Sequence, residues 1–165
     1  RIPGDWGLEV GVLAEVYRNC SQKRICQVDL CETYEHKHQP LSEENVETGL
    51  MKMCIDISKT LFTTLSSDGT IFNDGFFRTL RITYLRKAQR FIERYESDAA
   101  INGLFFDRHQ EAKAVDAFTN GLKLAGEQFL ENPIGTPLIP NWSRVTSAIP
   151  DFFEMLIDAV ESDNK

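Results

Sequence analysis

The sequence lacks the signatures of several protein classes. No apolar run approaches the roughly 18 residues that a membrane-spanning helix needs, and residues 1–30 do not show the order of basic, apolar and small residues that marks a signal peptide. There is no P-loop, no Gly-x-Gly-x-x-Gly and no Gly-x-Ser-x-Gly. We therefore expect a soluble chain that carries none of these phosphate-binding or nucleophile motifs.

Basic residues are fewer than acidic residues in this sequence. The formal net charge is −7, whereas a protein that binds a polyanion needs a basic stripe, so no nucleic-acid partner is expected. One part of the chain does contain a cluster of basic residues, at helical spacing and mixed with apolar residues, which favours a solvated helix face. This cluster comprises Arg78, Arg81, Arg86, Lys87, Arg90 and Arg94.

The chain has 4 cysteines but no Cys-x-x-Cys pair. A zinc ribbon needs close pairs, and a disulfide framework is typical of small secreted chains. The pattern therefore predicts buried, reduced thiols and a cytoplasmic location. The residues are Cys20, Cys26, Cys31 and Cys54.

Hydrophobic periodicity predicts a short α/β piece at about 1–41, followed by a helical region at 42–165. The short piece has a helix at 7–19, a strand at 25–31 and a polar loop at 32–41. The helical region is predicted to contain four helices: from an N-cap at Ser42 to the break at Asp68-Gly69, at about 73–96, at about 108–130 and at 151–161. The proline-rich segment 132–142 should be extended. One strand cannot form a sheet, so we expect its partners in residues outside this sequence or in another chain.

Residues 5–11, near the start of the chain, form a candidate site. Glu9 stands between Gly7 and Gly11, just after Asp5 and Trp6. Glycines permit close approach of a ligand to the backbone, and a carboxylate there can accept hydrogen bonds from sugar hydroxyls or stabilise positive charge at a reacting carbon. The alternative is a glutamate that only complements the dipole of the helix.

A second polar segment contains His36 and His38. In an extended loop both would point the same way, and either could offer an imidazole to a divalent metal. Two histidines are too few for a metal site, and neither Glu32 nor Glu35 has a diagnostic position. An exposed polar loop is the alternative. Because the chain starts without Met and a site-like loop begins at residue 3, we expect it to be the C-terminal part of a larger enzyme.

At these two segments the sequence resembles the retaining GT-A glycosyltransferases of the glucosyl-3-phosphoglycerate synthase type. That family carries a Gly-x-Glu-(Ile/Val)-Gly helix start, matched by residues 7–11. It also carries a His-Arg-Asn-(Arg/Gln)-Pro-Leu loop after a strand, matched by residues 36–41. Lys37 stands where the family has Arg, and His38 where it has Asn. The resemblance covers residues 1 to about 45 well and the helical remainder only in kind.

The resemblance implies the C-terminal portion of an α/β, Rossmann-like GT-A fold. The activity would be transfer of a hexose, with retention of configuration, from a nucleotide-sugar to a small polar acceptor such as 3-phosphoglycerate. By position, His36 would bind Mg or Mn and Glu9 would contact the transferred sugar. Other substrate contacts would come from Asp5, Trp6, Gly7, Lys37 and His38. The resemblance also implies a homodimer, and the fragment alone should be inactive.

A different class of function is also open. The long apolar-striped helices carry several phenylalanines, which could form the face of a non-catalytic helical module that binds a partner protein. These are Phe72, Phe76, Phe77, Phe91, Phe105 and Phe106. An Asp-x-Asp motif after a strand, upstream of residue 1 in the gene, would decide for the transferase.

Overall fold

The computed structural model describes residues 2–31, 39–41, 45–135 and 138–164. This part of the chain is mostly helical, in agreement with the prediction for the fragment. The helices are α1 (Leu8–Asn19), α2 (Gly49–Ser67), α3 (Asp74–Ile101), α4 (Arg108–Glu131), α5 (Trp142–Ala148) and α6 (Phe152–Asp163), with a short 3-10 turn, Gln22–Arg24, after α1.

Side-chain caps explain where three of the helices begin. Asn73 accepts a hydrogen bond from the Phe76 backbone N–H at 2.9 Å, and Asp107 accepts one from Gln110 at 3.0 Å. Asn141 caps α5 in the same way. Each cap satisfies a backbone donor that the first helical turn leaves without a partner. Helix α5 was missed by the sequence analysis, although Asn141 is a residue type that favours this position.

The start of α2 differs from the prediction. The expected N-cap, Ser42, lies outside the described residues, and the helix begins at Gly49. A turn precedes it, in which the Asn45 side chain accepts a hydrogen bond from the Glu47 backbone N–H at 3.0 Å. Because this local side-chain bond competes with helix formation, α2 begins later in the sequence than predicted.

The core lies where α2, α3 and α4 meet. Phe62, Phe77 and Phe129 are at most 6% exposed, and Phe62 contacts the other two rings edge-on, at centroid distances of 5.0 and 5.8 Å. Phe72 packs against this group from the α2–α3 connection. Two of the residues assigned to a partner-binding face, Phe72 and Phe77, therefore pack within the chain itself.

Small residues on α4 allow its two neighbours to come close. A Cβ atom built on Gly126 would lie 2.8 Å from the Phe77 ring, and one on Gly121 would lie 3.0 Å from Cys54 Sγ. Ala125 between them is fully buried. Because these positions lack bulk, α4 packs against both α2 and α3 and is the central helix of the bundle.

Helices α5 and α6 form a separate small pair. Trp142 stacks on Phe153 with a centroid distance of 5.8 Å, and neither helix contains a buried residue. The predicted last helix is thus confirmed, but it does not add to the core. The exposed large apolar residues of α6 are Phe153, Met155, Leu156, Ile157 and Val160.

The predicted strand at 25–31 is wrong. These residues are exposed and form no strand, and the described parts of the chain contain no strand at all, only an isolated antiparallel bridge between Pro3 and Leu138. An alternating apolar pattern becomes a strand only when another strand satisfies its backbone groups. None of the described residues provides that partner.

The prediction of buried thiols fails at three of the 4 cysteines. Cys20, Cys26 and Cys31 are exposed, while Cys54 on α2 is partly buried, and all 4 are free. Burial raises the pKa of the Cys54 thiol. Only Cys26 and Cys31 were expected to lie in the strand, so the error at these two positions has the same cause as the strand error. None of the described helices is long and apolar enough to cross a membrane.

Candidate active-site loop and adjoining cleft

Residues 3–7, called the site loop below, lead directly into α1. The Asp5 side chain accepts a hydrogen bond from the Gly7 backbone N–H at 2.8 Å, and its carbonyl accepts one from Leu8 at 3.1 Å. These two bonds turn the chain into the helix. Glu9 then lies in the first turn of α1, with its residue surface exposed, where the partial positive charge of the helix end favours a carboxylate.

A buried carboxylate lies beneath the site loop. The side chain of Asp56, on α2, is only 6% exposed and lies 3.3 Å from Lys52 Nζ. The backbone N–H of Trp6 favours the ionised form of this carboxylate and so opposes the rise of its pKa. Asp56 lines the same cleft as Pro3 and Asp5 of the site loop, so it lies next to the segment that carries predicted substrate residues.

Gly7 is held close to α2. A Cβ atom at this position would lie 1.9 Å from Thr60 Oγ1, so only glycine fits without displacing Thr60. Gly11 is similarly covered, since its Cβ would lie 2.5 Å from the Pro3 ring. A ligand was predicted to approach the backbone of Gly7 closely, but in the structure α2 occupies that position. A role of Gly7 in substrate binding stays a prediction.

The segment after α4 contacts the start of the chain as well. Leu138 forms the bridge to Pro3, and the Ile139 backbone N–H donates to the Ile2 carbonyl at 2.8 Å. The site loop is therefore held between α2 and this proline-rich segment. Residues 132–142 were expected to be extended. Their described part forms this one bridge, but it also contains a turn at Gly135, whose φ is 67°.

A cleft of about 510 Å³ opens between these elements, within the usual size range of small-molecule sites, about 300–1,000 Å³. The two cations that line it already have partners: Lys59 donates to Gln128 at 3.2 Å, and Arg18 donates to the Thr64 carbonyl at 2.9 Å. The cleft therefore offers mainly hydroxyl and carboxyl groups on an apolar wall. It is lined by residues of the site loop, α1, α2 and the segment 133–138: Pro3, Asp5, Arg18, Asp56, Lys59, Thr60, Thr63, Thr64, Ser66, Ser67, Pro133, Ile134, Gly135 and Leu138.

The structure describes four of the seven predicted site residues. Asp5, Trp6, Gly7 and Glu9 lie in the site loop or just after it, whereas Lys37, His38 and the proposed metal ligand His36 lie outside the described residues. Within the described ranges, no three His, Cys, Asp or Glu side chains gather as a metal site would require. The predicted meeting of the two segments is therefore not tested.

Sequence reasoning missed Asp56 and Thr60. A signal was present, since Asp56 stands between Ile55 and Ile57 in an otherwise apolar run, and a charged residue at such a position needs a partner. The site-loop residues that line the cleft with it, Pro3 and Asp5, are distant in the sequence, so no local residue pattern reveals them. Only the packing of α1 against α2 identifies this arrangement.

Burial raises the pKa of Asp56 above its ordinary value of 3.8, and the charge of Asp5 adds to the rise, while Lys52 opposes it. Lys52 is itself shared with Glu47, 3.9 Å away. The folded chain therefore binds the proton more tightly than the unfolded chain does. This contribution to stability is fully present below the unfolded pKa and is lost as pH rises through the folded pKa.

Asp56→Asn should consequently become more stable relative to the wild type as pH rises from about 4 to 7, because the amide cannot ionise. Urea unfolding of the 165-residue chain at a series of pH values measures the difference. Asp116→Asn, at an exposed position on α4, is the control and should show no such trend. A constant difference between Asp56→Asn and wild type across this range would contradict the prediction.

Two relatives named glucosyl-3-phosphoglycerate synthase match the chain throughout. The one from Persephonella marina is 52% identical over 164 residues, which are 99% of this chain and 40% of the relative. The one from Methanococcoides burtonii is 44% identical over 167 residues, with 100% of this chain and 40% of the relative covered. The chain is homologous to the glucosyl-3-phosphoglycerate synthases.

The resemblance stated from the sequence is thus confirmed, and the chain corresponds to the C-terminal part of these synthases. It spans 40% of the length of the relatives it matches. No family model matches the sequence. No solved structure matches it either. The similarity to the synthases extends over the helical bundle, well beyond the two segments that first indicated it.

Proposed function

We propose that this chain is the C-terminal part of a retaining glycosyltransferase that moves a hexose from a nucleotide-sugar to a small acceptor such as 3-phosphoglycerate. The observation that carries the proposal is the match, over the length of this chain and 40% of the relatives' length, to two relatives named glucosyl-3-phosphoglycerate synthase. The alternative, a non-catalytic helical interaction module, is not favoured by relatives of this name.

In this proposal Glu9 acts on the transferred sugar. Its position in the first turn of α1, directly after the site loop, leaves the residue exposed to a ligand. The carboxylate would accept hydrogen bonds from sugar hydroxyls and stabilise positive charge at the anomeric carbon. We propose a front-face mechanism, since the residues proposed for the site include no obvious nucleophile for a double displacement. Asp5, Trp6 and Gly7 would line the sugar side, and Lys37 and His38 the acceptor side.

The proposal includes a divalent cation, Mg or Mn, with His36 as its ligand from this chain. The cation would neutralise the departing diphosphate. The described residues neither complete such a site nor test it. The GT-A fold of the whole enzyme, with residues 1–41 as the end of its catalytic domain and 42–165 as a helical region, is likewise proposed. So are a cytoplasmic location and a homodimer, in which the apolar residues of α6 would be covered.

The test uses the full-length gene product with a panel of nucleotide-sugars and 3-phosphoglycerate, and follows product formation with and without Mg or Mn. Transfer of a hexose with retained configuration is the expected result. No transfer with any donor in the panel, to this acceptor or to glycerate, would refute the proposed function.

His36→Ala is expected to weaken metal-dependent donor binding about tenfold or more, because removing a ligand lowers the affinity for the metal. Isothermal titration of the nucleotide-sugar in the presence of Mn measures this. His109→Ala, at an exposed position in α4, is the matched control and should bind as the wild type does. Equal metal and donor affinity in His36→Ala would rule out the assignment.

A further inference from the structure

The two glycines at the start of α1 are not required by backbone conformation. Gly7 has a φ of −82°, which lies outside the left-handed region that favours glycine. Gly11 lies inside α1, where alanine would be more favourable by helix propensity, and its φ is not positive. Both residues are buried. The property that matters at these positions is therefore the absence of side-chain volume.

Each of these glycines is covered by a specific neighbour. At Gly7 a Cβ atom would lie 1.9 Å from Thr60 Oγ1 and 2.9 Å from Thr60 Cβ. Rotation of the Thr60 side chain could move Oγ1 away but not Cβ, so a side chain at position 7 would push the start of α1 away from α2. At Gly11 a Cβ atom would lie 2.5 Å from the Pro3 ring.

Glu9 lies on the side of α1 opposite to both glycines. The Gly11 backbone N–H donates to the Gly7 carbonyl at 2.8 Å, so the two glycines share one helical register. Residues two positions apart in a helix differ by about 200° around its axis, which places Glu9 away from both. In agreement with this geometry, the glycines are buried and Glu9 is exposed. The packing of the glycine face therefore sets where the opposite face presents Glu9.

The far end of α1 has its own attachment to α2. Arg18 donates to the Thr64 carbonyl at 2.9 Å and pairs with Asp68 at 3.2 Å. These contacts lie at the end of α1 away from Glu9. A change in the contact at Gly7 should consequently displace the start of α1, which carries Glu9, more than its end.

We propose that Thr60 is a positioning residue, whose contact with Gly7 fixes the start of α1 and thereby the place of Glu9. The inference rests on the proposed function of Glu9. Thr60 need not touch substrate, since it acts through the packing of α1 on α2. Small errors in the placement of a reacting group are costly, and a displacement of about 1 Å can lower a rate about 100-fold.

The first experiment measures kcat of the full-length protein in a cycle of variants. Gly7→Ala should lower kcat about 10- to 100-fold, with little change in the KM for the nucleotide-sugar, because the added methyl group displaces the start of α1. Thr60→Gly should lower kcat about three- to tenfold, since the start of α1 loses its support. In the Thr60→Gly background, where both crowding atoms are gone, Gly7→Ala should cost less than about threefold.

The second experiment follows the packing without using activity. Amide hydrogen exchange of the full-length protein, measured by mass spectrometry on peptides covering residues 8–14, reports how often the start of α1 opens. Gly7→Ala should speed this exchange about fivefold or more. In the Thr60→Gly background the same change should alter it by less than about twofold.

Gly75→Ala is the matched control for both experiments. Gly75 lies in the first turn of α3, and a Cβ atom there would lie 3.2 Å from the capping Asn73 Oδ1, much as one at Gly7 would lie 3.1 Å from Asp5 Oδ1. This variant reproduces the crowding of a capping side chain without pressing α1 against α2. It should keep kcat and the exchange of residues 8–14 within about twofold of the wild type. Circular dichroism gives the folded fraction of each variant, so that kcat refers to folded molecules only.

The outcomes separate the inference from the proposed function. If Gly7→Ala lowers kcat equally in both backgrounds, Gly7 serves the approach of a ligand and the positioning role of Thr60 is overturned. Unchanged exchange of residues 8–14 in folded Gly7→Ala also overturns it. A wild-type protein that transfers no sugar refutes the proposed function, and the exchange measurement still decides whether Thr60 holds the start of α1. If Gly7→Ala does not fold, recovery of folding in the double variant supports the contact, and its continued failure contradicts it.

Discussion

Glu9→Gln is expected to lower kcat of the full-length enzyme about 100-fold or more, with a smaller effect on nucleotide-sugar binding. Glutamine keeps the size and hydrogen-bonding capacity of the side chain but cannot balance a developing positive charge. Loss of a contact made only in the transition state changes kcat, whereas loss of uniform binding changes KM. Steady-state kinetics with varied donor measure both.

The control for this change is Glu111→Gln. Glu111 lies in the first turn of α4, as Glu9 lies in the first turn of α1, but α4 does not follow the site loop. If Glu9 served only the helix dipole, both variants would lose at most about 1 kcal/mol of stability and keep normal turnover. Turnover of Glu9→Gln close to wild type would remove Glu9 from the mechanism.

Phe129→Ala is expected to destabilise the 165-residue chain by about 3–5 kcal/mol. Phe129 is 5% exposed and contacts the rings of Phe62, Phe72 and Phe77 at centroid distances of 5.8, 5.3 and 6.3 Å. Truncation leaves a cavity at the junction of three helices, which backbone movement cannot readily fill. Urea unfolding monitored by circular dichroism gives the change in free energy.

Phe105→Ala provides the comparison for this loss. Phe105 lies between α3 and α4 and is 89% exposed, so its truncation should change the free energy of unfolding by less than about 0.5 kcal/mol. Similar losses for the two variants would show that the aromatic cluster is not the core of the isolated chain. In that event the bundle would depend on contacts that the described residues do not make among themselves.

Four helices were predictable because their signals are local. α1, α3, α4 and α6 each have an apolar periodicity, and α3 has in Asn73 a capping residue that needs only its own first turn to act. The start of α2 and the presence of α5 were not predicted, although Asn45 and Asn141 carry the local bonds that explain them. These errors are failures to weigh short polar signals against periodicity.

The strand error is of another kind. The run at 25–31 has the alternation of a strand, but a strand also needs a partner at hydrogen-bonding distance, and that condition is not local. The same limit applies to Cys26 and Cys31, which lie in this run. A composition argument could not detect this, because free thiols are buried far more often than they are exposed.

The sequence by itself determined the chemical types at the candidate site and the relationship to the synthases. Gly7, Glu9 and Gly11 could be identified as a group because they are adjacent in one helix start. The tertiary structure alone decided what surrounds them: Thr60 lies against Gly7, and Pro3 covers Gly11. Both contacts depend on the side-chain volume that a glycine lacks. Neither leaves a periodic pattern in a sequence, so only the packing of α1 and the site loop on α2 reveals them.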